Sequence, residues 1–221
     1  MTDWLGRRKH ARYPIVVPML YAFEGSDSAT ANVGWTRDLS EGGACFELTE
    51  RLEASASIRA TLRTDQGNIE TCGQVIWAEG PLQTGGILHG ITFVRMLPAQ
   101  HQTVQGLLLR RRMVWRAVVR IPVQLPVIYQ LKGQPRSFHQ GQTENVSRGG
   151  LLLRLPRVYP PSTTLEVTLR TARGDLAVEG TIAHVEPLDA QTPGKPIRHG
   201  FQFTDISYAT QTTLARVLAE A

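Results

Sequence analysis

Two arginines four residues apart occur twice in this chain, as Arg8-Lys-His-Ala-Arg12 and as Arg116-Ala-Val-Val-Arg120. About 26–30 residues after each pair comes a short polar turn, Asp38-Leu-Ser40-Glu-Gly-Gly43 and Asn145-Val-Ser147-Arg-Gly-Gly150. These residue types suit a nucleotide. A guanidinium fork takes two phosphate oxygens, or the O6 and N7 of guanine, and stacks on a purine face. Asp38 or Asn145 offers an oxygen acceptor to guanine N1–H or N2–H, and Ser40 or Ser147 a short hydroxyl. Gly43 and Gly150 either admit a close neighbour or permit a positive φ. Alone, Asp-x-Ser-x-x-Gly is an ordinary strand–turn–strand pattern. Both motifs in one order, twice in one chain, make a specific signal.

The elements that must position these residues are also duplicated. Ser57–Thr64 matches Thr164–Thr171 at the motif offset of 107, Gly67 and Gly73 fall on Gly174 and Gly180, and His89-Gly-Ile-Thr-Phe93 matches His199-Gly-Phe-Gln-Phe203 at an offset of 110. The drift places a three-residue insertion near Leu188–Lys195. A repeat of this length is a whole small domain rather than a solenoid unit. Ile58, Ala60 and Leu62 alternate with polar residues, as do Leu165, Val167 and Leu169, which is the half-buried strand pattern. Further strands are predicted at Ile15–Tyr21, Gly34–Asp38, Ala44–Leu48, Glu70–Trp77 and Gly86–Phe93. Copy two gives Leu125–Leu131, Phe138–Glu144, Leu151–Leu155, Leu176–Val185 and Gly200–Phe203. Six short strands with Gly, Pro and Asp/Asn turns predict a small antiparallel barrel or sandwich. Each copy closes on a helical pattern, Ala99–Arg112 with Val104, Leu107 and Leu108, and Tyr208–Glu220 with Leu214, Val217 and Leu218. The apolar spacing lays one face of each helix on the strands. The fold class is all-β with one helix per copy, and the domains are expected at 1–112 and 113–221.

Composition narrows the function. The chain has 221 residues, 42% apolar, with net charge +5. That excludes wholesale disorder, and no apolar run is long enough for a bilayer-spanning helix. The polar N-terminal ten residues carry no leader pattern, so a cytoplasmic protein without membrane insertion is expected. Cys45 and Cys72 cannot form a disulfide framework and read as two buried small hydrophobes in a reducing setting. Charge is uneven: residues 1–108 carry net −2 and 109–221 net +7, with five arginines (110, 111, 112, 116, 120) near the join. Arg110–Arg112 read as cations at a helix C-terminus. Six histidines show no metal-ligand spacing, and no nucleophile elbow, P-loop or dinucleotide fingerprint is present, so an enzyme is not expected. His89 and His199 are expected to be structural or to edge the ligand. Nucleic-acid binding is the alternative class, since small barrels bind single strands in basic grooves lined by aromatics. Against it, aromatics are 7% of residues, the first half is slightly acidic, and Asp38 would repel a phosphate backbone.

The paired motifs resemble the PilZ domain, and the resemblance runs over nearly the whole chain in two tandem copies. It implies two six-stranded β-barrels, each followed by a C-terminal helix, that bind cyclic di-GMP without catalysis and without a cofactor. It also implies site residues Arg8, Arg12, Asp38, Ser40 and Gly43 in copy one, and Arg116, Arg120, Asn145, Ser147 and Gly150 in copy two, the arginines lying on a segment that wraps the ligand against the barrel. Arg7 extends the first cationic run through Lys9, so copy one is expected to hold a self-stacked ligand dimer. Trp115 precedes the second pair, so copy two would hold a monomer or recruit Arg111 or Arg112. Asn145 is neutral and keeps its acceptor oxygen, so copy two is expected to bind slightly more weakly. Ligand would reorient the two barrels toward a protein partner in motility, polysaccharide synthesis or secretion. A ligand-independent adaptor is the further alternative.

Overall fold

The computed structural model describes residues 9–25, 31–83, 85–113, 117–134, 137–186 and 196–221. Arg7, Arg8, Arg116, the inserted stretch near Leu188–Lys195 and the side chains of Arg111 and Arg112 lie outside the described residues. The chain forms two compact units, Met1–Val119 and Arg120–Ala221.

In the first unit, strands β1 (Pro18–Phe23), β2 (Asn32–Ser40), β3 (Gly43–Leu48), β4 (Ser57–Thr64), β5 (Gly67–Glu79) and β6 (Ile87–Arg95) close into a barrel of order β1-β2-β3-β6-β5-β4, followed by helix α1 (Pro98–Met113). Every ladder in it is antiparallel. The second unit repeats this with β8 (Pro126–Leu131), β9 (His139–Ser147), β10 (Gly150–Leu155), β11 (Thr164–Thr171), β12 (Gly174–Val185), β13 (Ile197–Asp205) and helix α2 (Tyr208–Glu220). Its order is β10-β13-β12-β11-β8-β9, closed by pairing of β9 with β10, and a two-residue strand β7 (Ile121–Pro122) adds to β9. Closure leaves these short strands no bare edges, which suits a small all-β domain.

Alternation delivers the core. Trp35, Tyr21, Phe46, Ile58, Leu62 and Ile69 are fully buried in the first barrel, and Leu153, Leu155, Leu165, Val167, Leu169 and Ile182 in the second. Each such side chain contributes roughly 1.5–3 kcal/mol by leaving water. In α1 the predicted face of Val104, Leu107 and Leu108 is buried, and the helix packs on β2 and β5. In α2, Leu214 and Leu218 are buried as expected, but Val217 is only half-buried and Ala215 and Ala219 take its place against β12. Cys45 is buried; Cys72 is not, because it falls on the outward face of β5.

The first strand starts later than the pattern predicts. Pro18 and Pro126 open β1 and β8, and a proline has no N–H for the ladder. Just before them a buried threonine hydroxyl substitutes for backbone partners. Thr36 Oγ1 accepts from Val17 N at 2.9 Å and donates to the Ile15 carbonyl at 2.6 Å. Thr143 Oγ1 does the same for Leu125 N at 2.8 Å and the Val123 carbonyl at 2.7 Å. Past α1, Val16 N donates to the Ala117 carbonyl at 2.8 Å and Val119 N to the Val16 carbonyl at 3.1 Å, so residues 117–119 are stitched into the first unit.

Candidate ligand-binding site

The β2–β3 turn gathers the first set of predicted residues. A backbone bridge between Tyr13 and Leu39 lays the preceding segment along β2. Arg12, one residue earlier, reaches Asp38 with Nη1–Oδ1 at 3.1 Å. The same carboxylate oxygen accepts from Cys45 N at 3.1 Å. A register shift between Thr36 and Asp38 marks a β-bulge at Arg37, and a bulge re-aims the residue beside it. Ser40 Oγ donates to the Gly43 carbonyl at 2.9 Å, so its hydroxyl closes the turn. Gly43 is needed for approach rather than for φ: a Cβ there would lie 2.3 Å from the Ile91 carbonyl oxygen. Arg12, Ser40 and Gly43, with Lys9 and His10, line an open cavity of about 300 Å³. Burial, with the Asp38 charge beside it, pushes the Cys45 thiol up to about 11. At neutral pH that thiol is a packed group and not a nucleophile.

The second unit rebuilds this arrangement. Ile121 pairs with Val146 and Pro122 with Asn145, which sets Arg120 at the start of the strand beside the motif. The bulge recurs at Glu144, immediately before Asn145. Ser147 Oγ donates to the Gly150 carbonyl at 3.1 Å, and a Cβ on Gly150 would meet the Phe201 carbonyl oxygen at 2.2 Å. Arg120, Ser147 and Gly150 line a cavity of about 230 Å³. Bulge support is conserved in kind and reversed in sign. Arg37 binds Glu47 at 3.2 Å in copy one, while Glu144 in copy two takes Arg154 at 2.7 Å and both Nε and Nη2 of Arg198. Burial alone would raise the Glu144 carboxyl, and hydrogen bonds from the two arginines hold it below the usual range instead.

Two residues of these cavities escaped the sequence reasoning. Trp77 on β5 stands opposite Gly90 on β6, and His184 on β12 opposite Gly200 on β13. A Cβ on Gly90 would fall 2.0 Å from Trp77 Nε1, and one on Gly200 would fall 2.0 Å from His184 Cε1. Each ring therefore lies over a bare glycine and forms one wall of its cavity. Trp77 remains partly exposed and lines the cavity. The signal was present: the two rings sit 107 apart, ahead of the repeated His-Gly pairs.

His89 and His199 are structural, as expected, and do not edge the cavities. Both are fully buried. His89 Nε2 accepts from Leu52 N at 3.0 Å and its Nδ1 faces the Ile87 carbonyl at 3.1 Å; His199 accepts from Tyr159 N at 3.1 Å and faces the Ile197 carbonyl at 2.9 Å. Burial lowers both pKa values, which favours neutral imidazoles with the proton on Nδ1. Among the described residues there is no His/Cys/Asp/Glu cluster fit to hold a metal, and no helix is long and apolar enough to cross a membrane.

The PilZ-domain family model matches the chain twice, over residues 6–110 and 111–220. No curated protein gives a significant match. Among solved structures the chain is similar to the Bacillus subtilis inhibitor of motility MotI/DgrA, with 10% identity over 94% of this chain and 97% of that one, TM-score 0.39. It is similar to Borreliella burgdorferi PlzA in complex with c-di-GMP, with 13% identity over 92% and 88%, TM-score 0.38. A third is the K. pneumonia MrkH–c-di-GMP complex, with 13% identity over 92% and 86%, TM-score 0.40. At these identities and scores the three structures add no weight to the family match. With two closed barrels, each followed by its helix, and the family model matched twice over nearly the whole chain, the chain belongs to the PilZ-domain family as a tandem pair.

Proposed function

We propose that the protein is a non-catalytic cyclic di-GMP receptor acting in the cytoplasm, with one site per barrel and no cofactor. The observation that carries this reading is the seating of Arg12 on Asp38 beside the Gly43 cavity, with Arg120, Ser147 and Gly150 lining the matching cavity of the second barrel. A guanidinium so placed meets a phosphate pair or a guanine edge, Asp38 or Asn145 accepts from the base, and Trp77 supplies a stacking wall. The proposed ligand residues are Arg7, Arg8, Arg12, Asp38, Ser40 and Gly43, and Arg116, Arg120, Asn145, Ser147 and Gly150. Copy one, with its longer cationic run and larger cavity, takes a stacked dimer; copy two takes a monomer.

Output follows from where the second arginine motif is anchored. Ala117–Val119, inside that motif, are hydrogen-bonded to Val16, four residues past Arg12. Ligand that engages Arg116 and Arg120 acts on a motif whose middle is already fixed to the first unit, so binding reorients the barrels and presents a new surface to a protein partner. Isothermal titration calorimetry of the full chain with cyclic di-GMP tests the reading, beside the Arg12→Ala and Arg120→Ala variants. Micromolar or tighter binding, lost one site at a time, is the expected result. Absence of heat and of any thermal shift at millimolar ligand would sink it.

A further inference from the structure

The residue just before each motif acceptor is charged, and its sign changes between the copies together with that of its partner. Arg37 in copy one becomes Glu144 in copy two, and Glu47 becomes Arg154, both at the motif offset of 107. One such exchange would be an ordinary substitution. Two exchanges that leave the pair opposite in sign mean that the repeat has kept the ion pair itself, whichever strand carries the cation.

The place of the pair gives the reason. Arg37 and Glu144 are the bulged residues, skipped by the ladders β2–β3 and β9–β10. A bulge bends its strand and re-aims the neighbouring side chain, here Asp38 or Asn145. Where the ladder skips a residue, its side chain is left to fix the bulge. Arg37 Nη1 reaches Glu47 on β3 at 3.2 Å. Glu144 takes Arg154 on β10 at 2.7 Å and Arg198 on β13 through two bonds of 2.8 and 2.7 Å. Stability alone does not account for such a pair. Glu47 is fully buried beside Gly86, where a Cβ would lie 2.6 Å from its Cγ, while Arg37 is half-exposed. A charge in that place carries a desolvation cost that an apolar pair of similar volume avoids.

We infer that Arg37–Glu47 and Glu144–Arg154 are positioning pairs, each fixing its bulge so that the next residue, Asp38 or Asn145, holds the orientation its motif uses. In copy one that aim is visible: a single Asp38 oxygen takes both Arg12 Nη1 and Cys45 N, at 3.1 Å each. Neither pair touches the ligand; each acts through the acceptor beside it. The inference deepens the ligand reading of these sites and rests on it in the affinity measurements alone.

Amide hydrogen exchange in the ligand-free full chain tests it first, because Cys45 N donates to Asp38 and reports the aim of that carboxylate. Arg37→Met should speed exchange at Cys45 about tenfold or more, while the amides of β4 and β5 keep their rates. Glu47→Gln, which keeps the shape and removes the charge, should act in the same direction. Calorimetry with cyclic di-GMP then reads one site at a time. On an Arg120→Ala background, Arg37→Met should raise the Kd of the first site about fivefold or more. On an Arg12→Ala background, Glu144→Gln and Glu144→Arg should each weaken the second site. Adding Arg154→Glu to Glu144→Arg installs the signs of copy one and should recover most of that loss. Unchanged exchange at Cys45, equal acceleration at every amide of the barrel, unchanged affinity in a chain that binds, or no recovery on double reversal would each overturn the inference. A wild-type chain that binds no cyclic di-GMP overturns the ligand reading alone, and the Cys45 rates then decide the positioning.

Discussion

Tyr13 and Leu39 exchange two backbone hydrogen bonds of 2.9 Å, and this one bridge brings Arg12 to Asp38 across 26 residues of sequence. Ile121 and Val146 repeat it in the second barrel. The backbone just past Arg12 and Arg120 is thus laid against the motif strand outside the closed barrel.

The motif glycines should separate close approach from ordinary turn chemistry. Gly43→Ala and Gly150→Ala force a Cβ against a carbonyl oxygen of the neighbouring strand. Each should lose about 1–3 kcal/mol of stability by overpacking and should abolish ligand binding in its own barrel. Gly149 has open space around it, so Gly149→Ala should stay within about 0.5 kcal/mol. Urea denaturation of the three variants checks the order.

Trp77→Ala should leave the fold intact and weaken binding at the first site. Loss of a base–aromatic stack is worth about 1–3 kcal/mol, which reads as roughly fivefold to more than a hundredfold in Kd at that site. Calorimetry on an Arg120→Ala background isolates the first site for the measurement. An unchanged Kd would remove Trp77 from the ligand contacts.

Acidification should begin to destabilise the protein at its two buried histidines. His89 and His199 are neutral in the folded state, with pKa values lowered by burial from the ordinary 6.5. Below that value the unfolded chain takes up protons that the folded chain refuses, so stability present above pH 6.5 is lost as pH falls through the lowered values. Glu144 and Glu220, also lowered, add their loss only below their ordinary 4.5. His89→Gln, whose amide oxygen can accept from Leu52 N, should flatten the first phase for the first barrel. Unfolding followed at a series of pH values from 7.5 to 4 measures it.

Thr36→Val should be costly for an isosteric change. It removes the hydroxyl that serves Val17 N and the Ile15 carbonyl in a fully buried place. An unsatisfied buried group costs about 1–3 kcal/mol, whereas the same substitution at exposed Thr204 should fall within about 0.5 kcal/mol. Thermal melts of the two variants compare them directly.

Sequence alone determined the duplication, the strand alternation, the two closing helices and the motif residues, because each is written in local spacing. A period of two makes Ile58, Ala60 and Leu62 one face whatever the strand later pairs with. Local spacing could not tell a barrel from a sandwich, since closure depends on which edges meet; the family resemblance pointed to the barrel, and the pairing of β2 with β3 and β9 with β10 gives it. Nor did it give Trp77 and His184 their meaning, which comes from glycines on a neighbouring strand, or show that Thr36 replaces a ladder partner ahead of Pro18. What a residue is follows from the chain; what lies opposite it follows from hydrogen bonds between segments far apart in sequence, and those only the tertiary structure decided.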